Sequence, residues 1–391
     1  MSEPNRPRIL LVTRNLPPLV GGMERLNWHM AEELARIADV RVIGPAGSAA
    51  LAPAGVDVRE APVKPLWKFL WRARQLARRE ARTWRPEIVL AGSGLTAPLA
   101  RSAARQCSAR TCVYAHGLDI AVAHPVYRAL WLPAIRAADR VIANSHPTAA
   151  LCRRAGVASD RIGIVHPGVD LPPSVQSGNQ AADFRQRHGL GDRPLLLSVG
   201  RLSSRKGLRE FVSNAMPRIV AARPDVLLLI VGDAPVQALH AQAQTRESIQ
   251  AAADAAGVGG NLRFLGVITD YTELGSVYYA ADVHVFPVRE IAGDPEGFGM
   301  VAIEAAAHGL PTVAFAAGGV VDAVSKGESG HLVPVGDYAG FADSVIATLD
   351  QREELRDRSR DFARQFAWPE FGRAMERELA RIGLRAGEAS R

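Results

Sequence analysis

Short runs rich in valine, isoleucine and leucine alternate with longer stretches of helical period along nearly the whole chain. In the first half the strand-like runs fall at 8–13, 40–43, 56–59, 88–91, 111–115, 140–143 and 162–165; in the second half they fall at 195–199, 226–231, 262–265, 283–288 and 312–315. Helical patterns fill the gaps, as at 22–37, 96–106 and 207–221. Strands that alternate with helices predict parallel sheets with helices on both faces. The runs starting at Leu195 and Val226 are apolar on both sides of the strand, as buried parallel strands require. The pattern stops at Leu171-Pro-Pro-Ser-Val-Gln-Ser-Gly-Asn-Gln180, which reads as a linker. The expected organisation is therefore two doubly wound domains, 1–172 and 181–368, followed by a C-terminal helix in 369–391 that packs back toward the first domain. In such sheets ligands bind at the carboxyl ends of the strands, and two halves facing each other make a cleft.

The length of 391 residues fits two domains, and 48% hydrophobic with 22% charged residues is a globular composition. The three cysteines, Cys107, Cys112 and Cys152, form no CxxC pair and leave one over, which predicts a reducing compartment and no zinc knuckle. The first residues lack the apolar core of a signal peptide, and no apolar run reaches the ~18 residues of a membrane span. A cytoplasmic protein is expected. Charge is uneven: the net charge is +12 over residues 1–190 and −5 over the rest. A basic half suits an anionic partner such as a phospholipid surface, although scattered arginines also serve solubility. The basic charge is densest in residues 63–85, which carry eight Lys/Arg against one Glu, with Leu66, Trp67, Phe69, Leu70 and Trp71 near the start. A basic amphipathic helix with aromatics fits an anionic membrane surface; an outer helix with a solvated basic face fits equally. No nucleic-acid motif is present, and no nucleic-acid partner is expected.

Several strand ends carry residues suited to one kind of chemistry. At Glu296-Gly-Phe-Gly-Met-Val-Ala-Ile-Glu304, glycines 297 and 299 let backbone N–H groups approach a ligand at a helix N-terminus, an arrangement that binds anions. Glu304, nearly two turns into the expected helix and flanked by Ile303 and three alanines, needs a partner such as a ribose diol. Arg201 and Lys206 follow a buried strand and precede a helix, where a planar fork and a point charge suit a diphosphate. This segment lacks P-loop spacing. Gly21 and Gly22 open a helix after Pro17-Pro18 and could bring bare backbone to a phosphate or sugar. His116 ends a strand and is followed by glycine. No two aspartates are one residue apart, so there is no DxD metal clamp; if a diphosphate leaves, its charge must be met by Arg201, Lys206 and helix N-termini rather than by a metal.

In their order and spacing these residues resemble the GT-B glycosyltransferases. The specific likeness is to the large retaining family of glycogen synthases, sucrose synthases and bacterial phosphatidylinositol mannosyltransferases, glycosyltransferase family four. The likeness covers nearly the whole chain: Gly21-Gly22, His116-Gly, Asn144-Ser145, His166-Pro-Gly-Val-Asp170, Gly200-Arg-Leu with Lys206-Gly, Val231-Gly-Asp, Glu296 through Glu304, Gly309-Leu-Pro-Thr-Val-Ala and Gly318-Gly. It implies two facing Rossmann-like domains, the first for the acceptor and the second for the nucleotide sugar. By the same likeness Glu296 holds the donor sugar, Glu304 the ribose, and Arg201 and Lys206 the diphosphate. Gly21, Gly22, Phe298, Gly299 and Met300 contribute backbone to phosphate or sugar, and His116 contacts the sugar near the reacting centre. The implied reaction is metal-independent transfer of a hexose from a UDP- or GDP-sugar with retention, to a lipid-linked or cell-envelope glycan acceptor. The leaving phosphate itself helps deprotonate the acceptor, and no cofactor is required. Alternatives on the same plan are a nucleotide-sugar epimerase, a sugar phosphorylase, or a non-catalytic nucleotide-sugar-binding protein. Two departures from the family pattern stand out. The segment between Asp233 and Leu262 is longer by roughly one to three helical turns, and the family's Gly-Asp-Gly-Pro is here Gly232-Asp-Ala-Pro235.

Overall fold

The computed structural model describes residues 6–173, 177–234 and 244–384. Part of the expected linker (174–176), Pro235 with part of the lengthened segment (235–243), and the end of the tail (385–391) lie outside the described residues. The chain divides into two compact units: residues 1–168 with 368–391, and residues 169–367.

The first unit runs β1 (Arg8–Val12), α1 (Gly22–Ile37), β2 (Asp39–Pro45), β3 (Asp57–Ala61), α2 (Leu66–Trp84), β4 (Ile88–Ala91), α3 (Ala97–Ala104), β5 (Arg110–Ala115), α4 (Leu118–Ala121), α5 (Pro125–Leu130), α6 (Leu132–Arg136), β6 (Arg140–Ala143), α7 (His146–Arg154) and β7 (Ile162–Ile164). Its seven strands are parallel in the order β3-β2-β1-β4-β5-β6-β7. The core follows from the sequence periods. α2 buries Phe69, Ala73, Ala77 and Ala81, four residues apart, beside the alanines of α3 and alternate strand residues such as Leu10, Val12, Val89 and Ala91. α1 buries Leu26, Met30 and Leu34 at the same spacing. All three cysteines are free.

The second unit runs α8 (Ser177–Arg187), β8 (Leu195–Val199), α9 (Leu208–Asn214), α10 (Met216–Ala222), β9 (Leu227–Val231), α11 (Arg246–Ala255), β10 (Leu262–Gly266), α12 (Tyr271–Ala280), β11 (Val283–Phe286), α13 (Met300–Ala307), β12 (Thr312–Phe315), α14 (Val320–Ala323), β13 (Gly330–Val333), α15 (Tyr338–Asp350) and α16 (Arg352–Arg364). Its parallel sheet is ordered β10-β9-β8-β11-β12-β13. The last helix, α17 (Trp368–Ala380), belongs to the first unit, where Phe371, Met375 and Leu379 are buried and the helix packs on α1. No described helix is long and apolar enough to cross a membrane.

Three details differ from the sequence expectation. The first unit ends at Gly168, before the Pro- and Ser-rich stretch, because Val169 donates its N–H to the carbonyl of Phe366 (2.7 Å) and joins the second unit. The end of that stretch is helix, since α8 begins at Ser177. The single helix expected over 207–221 is broken at Ala215: Pro217 sits at the second position of α10 and has no N–H to continue α9.

Both sheets are doubly wound, so each has a point where neighbouring strands send their connections in opposite directions: β1/β4 in the first unit and β8/β11 in the second. Glycines keep the ends of β8, β9 and β10 close together. Gly232 has φ +127°, donates to the carbonyl of Gly266 (2.7 Å), and a Cβ there would lie 1.9 Å from the carbonyl oxygen of Gly200. Gly232→Ala is expected to lower the unfolding free energy by about 2 kcal/mol or more, from strain plus overpacking; urea denaturation checks it, and a wild-type midpoint would show that the strand ends part at little cost.

Candidate functional site

In the second unit the loops after β8 and β11 emerge side by side because the two strands are neighbours in the sheet. The loop after β8 carries Arg201, Arg205 and Lys206; the loop after β11 carries Asp294 and Glu296. Lys206 donates from Nζ to Glu296 Oε2 at 2.9 Å, and Arg205 Nε lies 3.3 Å from the same oxygen. Arg205 also donates through Nη1 to Asp294 Oδ1 (2.6 Å) and to the carbonyl of Pro295 (3.2 Å), and its own carbonyl accepts from Arg289 N–H (2.8 Å). The Lys206 ammonium stands 4.5 Å over the Phe286 ring. Arg201 is exposed and forms no hydrogen bond or ion pair from its side chain among the described residues, yet its charge acts on both Lys206 and Glu296.

Burial draws the Lys206 ammonium below the ordinary lysine range, although Glu296 pulls the other way. Burial pushes the Glu296 carboxyl up, but the charges of Lys206 and Arg205 outweigh it and hold it below the usual carboxylate range. Three cations thus face two carboxylates at the strand ends. One positive charge is left over, with Arg201 outermost, and the surplus suits an anionic ligand.

Glycines shape the second wall. Gly319 N–H donates to the carbonyl of Glu296 (2.8 Å), and a Cβ at Gly318 or Gly319 would lie 2.5 or 2.0 Å from the carbonyl of Glu296 or Gly297, so only bare backbone fits under this loop. Gly299 has φ +94° and precedes α13, whose N-terminus has no side-chain cap. Phe298 turns its ring into the core against Phe366, so only its backbone faces the loop side. Because α13 begins at Met300, Glu304 sits just over one turn into the helix, not nearly two. Its carboxylate accepts from the Tyr278 hydroxyl (3.0 Å), the kind of partner its apolar surroundings demanded. Tyr278 stacks on His308, whose Nδ1 donates to the Glu304 carbonyl (2.7 Å).

Sequence reasoning passed over Arg205, Asp294, Tyr278 and His284. Arg205 stood next to Lys206 in the same loop, but its partner lies 89 positions away, and strand adjacency, not spacing, brings them together. His284 is completely buried in β11. Its Nδ1 lies 3.1 Å from Thr312 Oγ1, and Nε2 has no partner among the described residues.

In the first unit, His116 follows β5 and is nearly buried. Its Nε2 donates to the carbonyl of Gly92 (2.8 Å), and its backbone N–H donates to Asp119 Oδ1 (3.0 Å). Asp119 Oδ2 accepts from Gly94 N–H (2.8 Å), so the loops after β4 and β5 are tied together. Gly21 and Gly22 are exposed at the start of α1, but they are not bare. Glu24, held by Asn15 Nδ2 (2.7 Å), lies so close that a Cβ on Gly21 would meet its Oε2 at 2.4 Å.

Two doubly wound units with ligand-type loops at their switch points follow the GT-B plan, and matches to known families give the class as glycosyltransferase. The family model for glycosyl transferases group 1 matches residues 180–366, and that for Glycosyltransferase Family 4 matches residues 20–172; the chain belongs to this family. It is 29% identical over 359 residues to a GDP-mannose-dependent alpha-(1-6)-phosphatidylinositol monomannoside mannosyltransferase of Mycolicibacterium smegmatis, covering 86% of this chain and 88% of that one. It is 35% identical over 234 residues to a D-inositol 3-phosphate glycosyltransferase of the same organism, covering 59% of this chain and 50% of that one. Its fold matches that of Anabaena HepE in complex with UDP, with a TM-score of 0.76, 19% identity, and coverage of 96% and 100%.

The buried histidine gives a pH signature. Burial first, and the Lys206 charge second, push His284 down from 6.5 to about 3. The unfolded chain binds a proton there that the folded chain refuses, so this contribution is complete above 6.5 and is lost as pH falls toward about 3. His284→Gln is expected to flatten the acid limb of the urea midpoint against pH; an unchanged slope would contradict the assignment.

Proposed function

We propose that this glycosyltransferase moves a hexose from a UDP- or GDP-sugar to a lipid-linked or cell-envelope glycan acceptor, with retention and without a metal. The observation that carries the reading is the network of Arg201, Arg205 and Lys206 against Asp294 and Glu296. Its cationic surplus suits a diphosphate leaving group, whose developing charge the protein then neutralises with its own side chains. On this reading Lys206 swings part of its interaction from Glu296 to the phosphate, and Glu296 takes hydroxyls of the donor sugar. Glu304, steadied by Tyr278, accepts from the ribose, and the backbone from Phe298 to Met300 serves the phosphate.

The first unit supplies the remaining roles. The Glu24 carboxylate beside Gly21 disfavours a phosphate there, so Gly21 and Gly22 are assigned to sugar hydroxyls. On the same reading His116, with Nε2 committed to Gly92 and its backbone N–H to Asp119, offers the remaining edge of its ring to the sugar. The leaving phosphate, not a side chain, takes the acceptor proton. The likeness to a phosphatidylinositol monomannoside mannosyltransferase supports a lipid-borne acceptor and a GDP-sugar, and a fold shared with a UDP complex keeps UDP-sugars in view. An acceptor of this kind places the enzyme on the inner face of the cell membrane.

A thermal-shift panel of UDP-, GDP- and ADP-sugars with chelator present names the donor. Lys206→Ala is expected to lower turnover by roughly 10²–10³-fold, the scale of losing one charge-stabilising group, when assayed well below its melting temperature, which falls because Glu296 loses a buried partner. Near-normal turnover would remove Lys206 from the diphosphate. Proton NMR of the product with an α-linked donor is expected to show an α-anomer, and a β-anomer would exclude retention.

A further inference from the structure

The loop after β8 is held by a second polar network, built from α9 and the approach to α11. Leu202, next to Arg201, is bonded on both sides. Its N–H donates to the carbonyl of Asp233 (2.9 Å), and its carbonyl accepts from the N–H of Gln244 (3.0 Å). Gln244 is 2% exposed, and its side chain makes two further bonds. Oε1 accepts from Arg209 N–H (3.1 Å), a donor in the first turn of α9 that the helix itself cannot satisfy. Nε2 donates to Glu210 Oε2 (2.8 Å). These partners allow the amide one orientation, since a backbone N–H only donates and a carboxylate only accepts. Gln244 stands on a fixed support: the next residue, Thr245, caps α11 through Ser248 N–H (3.2 Å), and α11 packs on α9.

Glu210 carries the bracing across to the loop after β11. Its Oε1 accepts from Arg289 Nη1 (2.7 Å). The backbone N–H of Arg289 holds the carbonyl of Arg205 (2.8 Å). Between these two ends the Arg289 side chain crosses Gly207, where a Cβ would meet its Cγ at 3.0 Å. The series Gln244, Glu210, Arg289, Arg205 thus reaches from the start of α11 to the residue that binds Asp294. Both Glu210 oxygens and both ends of the Gln244 amide are occupied by protein partners. The pair is built to hold its neighbours, not to touch a ligand.

We propose that Glu210 and Gln244 are positioning residues for the transfer reaction: they fix the loop from Arg201 to Lys206 at the setting in which its cations meet the diphosphate. The inference rests on the reading of that loop as the diphosphate site. A misplacement of about 1 Å can cost roughly 10²-fold in rate, so groups of this kind need support from outside the ligand contacts.

Exchanging the two side chains tests it. Gln244→Glu sets two carboxylates against each other, and Glu210→Gln sets two amide NH2 groups against each other. Glu210→Gln with Gln244→Glu restores every bond: the amide at 210 accepts from Arg289 and donates to the carboxylate at 244, which accepts from Arg209. Titration calorimetry of the full chain with UDP, GDP and ADP is read well below each melting temperature. Each single variant is expected to weaken the nucleoside diphosphate that wild type binds by roughly tenfold, the scale of a broken hydrogen bond to a charged group. The double variant should recover most of that loss. A purely electrostatic effect would weaken Gln244→Glu but tighten Glu210→Gln, whereas positioning weakens both. Leu349→Ala, a core truncation at the far end of α15, should lower the melting temperature and leave the affinity alone, which separates positioning from general loss of stability. Unchanged or tighter binding in either single variant, or a double variant no better than the weaker single, would overturn the proposal. Lys206→Ala separates the two levels. If it weakens binding while the Glu210 and Gln244 variants do not, this inference alone falls; if it binds as wild type does, the diphosphate reading falls with it.

Discussion

One electrostatic arrangement governs the strand ends of the second unit: Arg205 and Lys206 locked onto Asp294 and Glu296. Groups this well shielded from water cannot be left single. Removing one partner of a buried pair typically costs about 3–5 kcal/mol, because the remaining charge stays in low dielectric. The arrangement therefore constrains the loop after β11 as strongly as a covalent strap would, and it does so from the loop after β8. It also leaves the site poised. Glu296 remains a carboxylate because two cations hold it so, and Lys206 keeps that carboxylate as its hydrogen-bond partner.

The arrangement depends on backbone geometry that only glycine permits. Gly207, at φ +68°, would place a Cβ 2.1 Å from the Pro287 carbonyl, and Gly318 and Gly319 lie directly beneath Glu296 and Gly297. These positions are filled by approach of backbone to backbone, so the two loops can share one small volume with Phe286 as its floor. The topology sets the rest. β8 and β11 are neighbours because the chain reverses its winding between them, and the charges on their following loops meet for that reason.

Much of this was legible in the residues. Every strand except β13 coincided with a strand-like run in the sequence. β13 did not, because it is four residues long and begins Gly330-His331; Gly330 is there because a side chain would strike the Thr312 carbonyl at 1.8 Å. The family and the GT-B plan were readable because many weak motifs stood in one order. Pairing was not readable. Nothing in the spacing of Arg205 and Asp294, or of Tyr278 and Glu304, shows that they touch, since each contact is created by strand order and helix packing. The same holds for Glu24, whose carboxylate changes what Gly21 and Gly22 can accept. Composition marked α2 as basic and aromatic; only the three-dimensional packing shows that its one acid, Glu80, faces inward and Trp67 and Trp71 outward.

The proposed division of labour has Lys206 serve the diphosphate and Glu296 the sugar, with each holding the other in between. Titration calorimetry of the bare nucleoside diphosphate and of the intact nucleotide sugar, against wild type, Lys206→Gln and Glu296→Gln, tests it most directly. Lys206→Gln should weaken both ligands. Glu296→Gln should leave the diphosphate as tight as before or tighter, since a repelling carboxylate is gone, while erasing the added affinity of the sugar. Equal weakening of both ligands by Glu296→Gln, with neither weakened by Lys206→Gln, would exclude that division.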